Sequence, residues 1–199
     1  MKKILAACLA AVTMILMTSC GGESFKPHVM TKADVGAVRV SDGEAITYGM
    51  KRIDVEKILG KSDANSMDTN STSYDEGKIS IFYRLTDESG HKLTTDRQTV
   101  AGVLLTPDAA GYYKTPREFE PGQSAEEALA VYGEYPGVRS DFMLSYQYDV
   151  ARKKMITPQQ NNPDRDTGLL DQFIVQFTLD GGNVISVSMM DRQMALQQN

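Results

Sequence analysis

The chain has 199 residues, 21 Lys+Arg against 26 Asp+Glu, and a formal net charge of −5. That balance argues against nucleic acid and anionic headgroups as partners of the folded body, because an acidic surface is repelled by both. Its length suits one ordinary domain or two small ones, with Val, Ile, Leu, Met, Phe and Tyr well distributed for a core.

In chain order, Lys2-Lys3 form a charged n-region. The apolar run from Ile4 to Met17 is too short to span a ~30 Å hydrocarbon core comfortably. Gly21-Gly22-Glu23-Ser24 ends that run without the basic flank of a stop-transfer segment. Met17-Thr18-Ser19-Cys20 resembles the lipobox of bacterial lipoproteins, with Met17 where leucine is usual. The resemblance implies that residues 1–19 are a signal peptide and that the Cys20 thiol takes a diacylglyceryl group before cleavage makes it the N-terminus. Two or more acyl chains anchor stably, whereas one binds only marginally. The expected location is extracytoplasmic, on the cell membrane or the outer membrane. The alternative is a plain secretory peptide cut nearby. Removing residues 1–19, which include Lys2, Lys3 and Cys8, leaves 180 residues in which 19 Lys+Arg face 26 acidic groups, a net charge of −7. With Cys20 acylated, that body holds no free thiol, disulfide or thiolate metal site, so its stability rests on packing.

Residues 20–44 read as a flexible lipidated tether, with Gly21-Gly22, Pro27, polar residues and only weak alternation at Val35, Val38 and Val40. Next comes an internal repeat: Gly49 to Gly60 recurs as Gly122 to Gly133, at an offset of 73 residues. Val55/Ala128, Ile58/Val131 and Leu59/Tyr132 coincide at the i, i+3, i+4 spacing of one helix face. The closing glycines suit a helix C′ position. Ser124 and Glu127 form a capping box, while Lys51 stands where that serine does in the first copy. Strands follow each helix. In the first copy these are Ser73 to Tyr83 and Thr99 to Leu105, separated by the turn residues Asp87-Glu88-Ser89-Gly90. In the second, Phe142 to Tyr148 and Phe173 to Leu179 alternate apolar and polar, and Asp180-Gly181-Gly182-Asn183 turns into Val184 to Met189. Arg152 to Gly168 reads as a long exposed loop, and residues 191–199 as a frayed tail.

Gly49-Met50 through Val55, Ile58, Leu59 and Gly60 resembles the helical signature of SmpA/OmlA-type outer-membrane assembly lipoproteins. Thr115-Pro116-Arg117 through Gly122 to Tyr132-Gly133 is similar to the second-unit motif of tandem proteins with the β-lactamase-inhibitor-protein-like fold. The chain departs from these patterns at Lys51, Ser62 and Glu118-Phe119. The resemblance implies an α+β fold: a tandem repeat of two units, residues 45–114 and 115–190, each with two short helices packed on an antiparallel β-sheet.

Chemistry-bearing groups are sparse. His28 lies in the expected tether and His91 beside a turn glycine, so neither has the rigid setting a general base needs. No nucleophile elbow, zinc-protease helix or phosphate-cradling glycine loop occurs. Asn162 to Gly168 alternates oxygen ligands, but its glycine is one place late for a calcium loop and the twelfth position is Phe173. It reads as a solvated loop, as does the acidic segment around Asp63, Asp68, Asp75 and Glu76. No metal, cofactor or catalytic residue is therefore expected. Tyrosine suits interfaces because it pairs rigid apolar area with a polar tip, and Tyr146, Tyr148 and Tyr135 are the candidate partner-binding residues. Tyr146 and Tyr148 share a strand face with Phe142 and Leu144, so that face can equally be the floor under the helices. The expectation is a non-enzymatic, lipid-anchored module that binds an envelope protein and no nucleic acid. A small envelope ligand in a groove between the two units is the alternative.

Overall fold

The computed structural model describes residues 25–62, 70–87, 89–156 and 168–198. Strands β1 (Gly36–Arg39), β2 (Ala45–Thr47) and β6 (Tyr113–Lys114) make a small antiparallel sheet in the order β2-β1-β6. A larger sheet runs through β3 (Ser71–Tyr74), β4 (Ile79–Arg84), β5 (Thr99–Leu105), β11 (Asn183–Asp191), β10 (Gln172–Asp180), β8 (Met143–Asp149) and β7 (Val138–Ser140). Strand β9 (Lys154–Met155) pairs with the far end of β8. The helices are α1 (Arg52–Leu59), α2 (Ala125–Tyr132) and the short α3 (Arg192–Leu196).

This architecture corrects the expected pair of two-helix units. It is mainly β, and among the described residues each half carries one eight-residue helix. The stretch leading to α2 cannot coil, because Pro116 and Pro121 interrupt it and Glu118 sits at φ 66. Nor are the halves separate sheets. Leu105 pairs with Val187 and Val103 with Met189, which joins β5 to β11 in one continuous ladder. An exposed strand edge is a liability, and this pairing removes one from each half.

Alternation sets the two faces of the large sheet. Phe173, Val175, Phe177 and Leu179 point from β10 into the main core, while Ile174, Gln176 and Thr178 point away. The core lies between that face, α1, α2 and the small sheet. At its centre the rings of Tyr132 and Phe177 are 4.9 Å apart and those of Phe119 and Phe177 5.3 Å apart, both edge-on. Such pairs add about 0.5–1.5 kcal/mol each beyond area burial. On the opposite face α3 covers a smaller cluster of Phe82, Ala101, Met190 and Met194. Gly102 lies opposite Met190 on the neighbouring strand, where a Cβ would fall 2.7 Å from the Met190 Cβ.

The starts of α1 and α2 dock in the same way. Gly49 N–H donates to Val100 C=O and Val100 N–H to Met50 C=O, at 2.8 and 2.9 Å. Gly122 N–H donates to Val184 C=O and Val184 N–H to Gln123 C=O, at 2.7 and 2.8 Å. The caps differ. Ser124 and Glu127 bond reciprocally, whereas Lys51 makes no side-chain cap bond.

Three further expectations change. The run Ser73 to Tyr83 is a hairpin, because Asp75, Glu76 and Gly77 take φ of 51°, 56° and 87° and turn β3 into β4. The expected tether is structured from Phe25 onward: Met30, Asp34 and Ala37 are buried, and β1 falls inside it. The expected tail is also folded. Asp191 Oδ1 accepts from Met194 N–H to cap α3, and Arg192 and Met194 are buried.

Arg117 ties the N-terminal segment to this frame. Its guanidinium pairs with the buried Asp34 carboxylate and donates to the carbonyls of Lys26, Val29 and Val131. It also stacks over the Tyr132 ring at 4.6 Å and faces Phe25 at 5.1 Å.

Candidate functional site

The larger sheet is asymmetric. Its core face is covered throughout, while α3 is the described helix lying on the other. Cross-strand register turns the outward residues into rows. One row, Gln147-Ile174-Met190-Gly102-Phe82-Ser71, passes through the patch that α3 covers. The next row, Val138-Ser145-Gln176-Ser188-Leu104-Ser80-Ser73, crosses seven strands. At about 4.8 Å between neighbouring strands it is about 29 Å long.

This second row contains no charged residue. Its hydroxyls and amide offer both donors and acceptors, and the Ser73 and Ser80 hydroxyls bond at 2.9 Å. Ser80 and Ser145 are buried at the bottom, while Gln176, Ser188 and Leu104 are half-buried. The result is a shallow neutral trough. Solvated sheet faces ordinarily carry charge, and the cores of protein interfaces are depleted of it.

Where the trough meets α3 there is a cleft of about 280 Å³, lined by Gln147, Gln176, Ser188, Arg192 and Leu196 over Ile174 and Met190. Arg192 donates to Gln172 Oε1 at 2.7 Å, which fixes the orientation of that amide. Gln172 Nε2 and Gln147 Oε1 are buried side-chain atoms without a hydrogen-bond partner.

The tyrosines divide. Tyr146 and Tyr148 lie inside the core, the second of the two settings their strand face allowed. Their β8 face is the one beneath α2, and the Tyr146 hydroxyl donates to Gly133 C=O at 2.6 Å. Burial pushes the Tyr146 phenol up to about 12. Neither ring reaches a partner in this fold, which corrects their expected binding role. Tyr135 is 75% exposed and stacks on His28, with centroids 5.9 Å apart. Cys20 and most of the Asn162–Gly168 loop lie outside the described residues, and so does Asp63–Asp68 in the acidic segment. Among the described residues no group of three His, Cys, Asp or Glu is placed to hold a metal ion. His91 faces Asp87 at the surface, and His28 lies against the end of α2.

Sequence reasoning missed the trough. Ser145, Gln176 and Ser188 are the polar half of the same alternation that located the core, and the missing charge along them was the readable signal.

No protein-family profile, curated protein or solved structure matches the chain. Fold and face together define a mainly β domain with one sheet face packed and the other partly covered by α3, leaving an uncharged row open beside it.

Proposed function

We propose that the chain is a lipid-anchored extracytoplasmic interaction module, without enzymatic activity, whose open sheet face receives an envelope protein. The neutral trough is the observation that carries this reading. Burying an uncharged row of hydroxyls and amides incurs none of the desolvation penalty of ionised groups, and each of its donors or acceptors can pair with a partner. The lipobox-like segment ending at Cys20 supports the anchor and the location. Among the described residues no helix is long and apolar enough to cross a membrane.

In-cell crosslinking and pull-down of the full protein test the reading, with Cys20→Ala and Ser188→Lys as comparisons. The expected result is one stoichiometric envelope protein, recovered with the unaltered chain and lost with Ser188→Lys at an unchanged melting temperature. Equal recovery with Ser188→Lys removes the trough from the proposal.

A second reading is favoured by the unpartnered Gln147 Oε1 in the lining of the α3 cleft. Buried polar atoms are nearly always satisfied, and a small amide- or hydroxyl-bearing envelope ligand would satisfy this one. The continuous β5–β11 ladder leaves no groove between halves of the sheet, so such a ligand would sit at α3. A melting shift with small amides, abolished by Gln147→Leu, identifies this mode. No shift across a panel of amides and sugars eliminates it.

A further inference from the structure

We infer that the folded domain rests directly on the bilayer surface through an aromatic patch formed by Phe25 and Tyr135 at the C-terminal end of α2. This rests on acylation of Cys20. The sequence led to a different expectation, a flexible tether over residues 20–44.

Reach is the first argument. Four residues separate Cys20 from Phe25, and the five steps along the chain span at most about 18 Å when fully extended. With the chain structured from Phe25 onward, Phe25 cannot lie farther than that from an acylated Cys20, and Arg117, which faces Phe25 and stacks over Tyr132, keeps the end of α2 close by.

The second argument is rigidity. Lys26 bridges to Val29, His28 N–H donates to Tyr132 C=O at 2.8 Å, and Arg117 holds the carbonyls of Lys26 and Val29. Gly133 has φ 116, and a Cβ there would fall 2.4 Å from the His28 ring, so loop and ring are in close contact. A short leash attached to so fixed a point restrains the whole body.

Chemistry is the third. Phe25 is 38% exposed and Tyr135 75% exposed; Tyr135 stacks on His28, whose backbone N–H donates to Tyr132 C=O, and Phe25 faces the Arg117 guanidinium that stacks over the Tyr132 ring. Aromatic rings with a polar tip concentrate at the headgroup level of membranes. Lys26 and Glu134 flank the patch with opposite charges, so it carries no net repulsion from anionic lipid. The patch belongs to the α2 side of the large sheet. Docking there leaves the open face directed away from the lipid.

The test places a nitroxide on the full acylated protein in vesicles of phosphatidylethanolamine and phosphatidylglycerol. Labels go at Glu134→Cys, an exposed position beside the patch that leaves both rings in place, and, separately, at the half-buried Ser188 as Ser188→Cys. Immersion is read from the accessibility of the label to oxygen against a water-soluble nickel chelate. Headgroup-level immersion at 134 with an aqueous label at 188 is the expected outcome. An aqueous label at 134 in protein whose N-terminal mass confirms acylation overturns the docking and leaves the anchor intact. An N-terminal mass without acyl chains overturns both. A companion variant, Phe25→Ser with Tyr135→Ser, should lose the vesicle-dependent hydrogen-exchange protection of residues 25–31 and 133–137. Retained protection in that variant would also refute the patch.

Discussion

Arg117→Ala provides the most demanding test of how the N-terminal segment is held. The substitution leaves Asp34 at 0% exposure with its Oδ2 still accepting from Thr31 N–H at 2.8 Å, while Oδ1 loses its cation. Removing one member of a buried pair costs about 3–5 kcal/mol, because the remaining charge is stranded in low dielectric. The carbonyls of Lys26, Val29 and Val131 also lose their donor, but water can enter the vacated space beside the half-buried Val29 and Val131. A total near 4 kcal/mol follows, a large part of the 5–15 kcal/mol that stabilises a typical domain. For a domain of this size that corresponds to a melting temperature lower by about 8–16 °C. Urea unfolding followed by far-UV circular dichroism and tyrosine emission suits a chain without tryptophan. Asp34→Asn retains the Thr31 contact and removes the stranded charge. The double variant is therefore expected to be at least about 1 kcal/mol less destabilised than the sum of the two single changes. A cost below about 1 kcal/mol for Arg117→Ala, or strict additivity, would refute the clamp.

The two helix caps predict opposite responses. Lys51→Ser should stabilise by about 0.5–1 kcal/mol by giving α1 the side-chain acceptor it lacks, and Ser124→Ala should destabilise α2 by about 1 kcal/mol. Glu127 is held below the ordinary glutamate range by the Ser124 N–H and hydroxyl. Its contribution is present above the unfolded pKa and lost as pH falls through the lowered one, so denaturation should show the cost of Ser124→Ala shrinking in acid. At the alkaline end, burial and then the Asp191 carboxylate raise the Tyr48 phenol to about 12, and burial raises Tyr146 to about 12. Stability from these neutral phenols is complete below about pH 10, the ordinary tyrosine value, and is lost as pH rises through the folded pKa. Absorbance at 295 nm should then show part of the tyrosine signal appearing only with unfolding. Gly102→Ala should cost about 1–3 kcal/mol by driving the new methyl into Met190 and the Phe82 ring on the adjacent strands, read as a lower urea midpoint.

Local chemistry was legible and long-range assembly was not. Asp180-Gly181-Gly182-Asn183 marked the β10–β11 hairpin, which forms with Leu179 opposite Val184 across a bulge. The glycine-closed segments became α1 and α2 as their spacing indicated. The β5–β11 ladder was hidden, because its partners stand more than eighty residues apart and nothing local records that they meet. The role of Arg117 was invisible for the same reason: Asp34 lies in a stretch whose composition suggested a spacer. Asp191 did carry a readable N-cap signal for α3, but five residues are too few for helical periodicity to emerge. Tyr146 and Tyr148 were ambiguous because alternation separates two faces without saying which one is covered.

The Arg117 clamp has a mechanical consequence. An anchored protein is pulled whenever its partner moves relative to the membrane, and the load enters where the chain leaves its leash. Here that point is bolted through one guanidinium to β1's approach, the last turn of α2 and the central aromatic rings. Tension would be shared across several bonds loaded together and would not unzip them one at a time. With the anchor and partner proposed above, such a domain would act as a handle between lipid and partner.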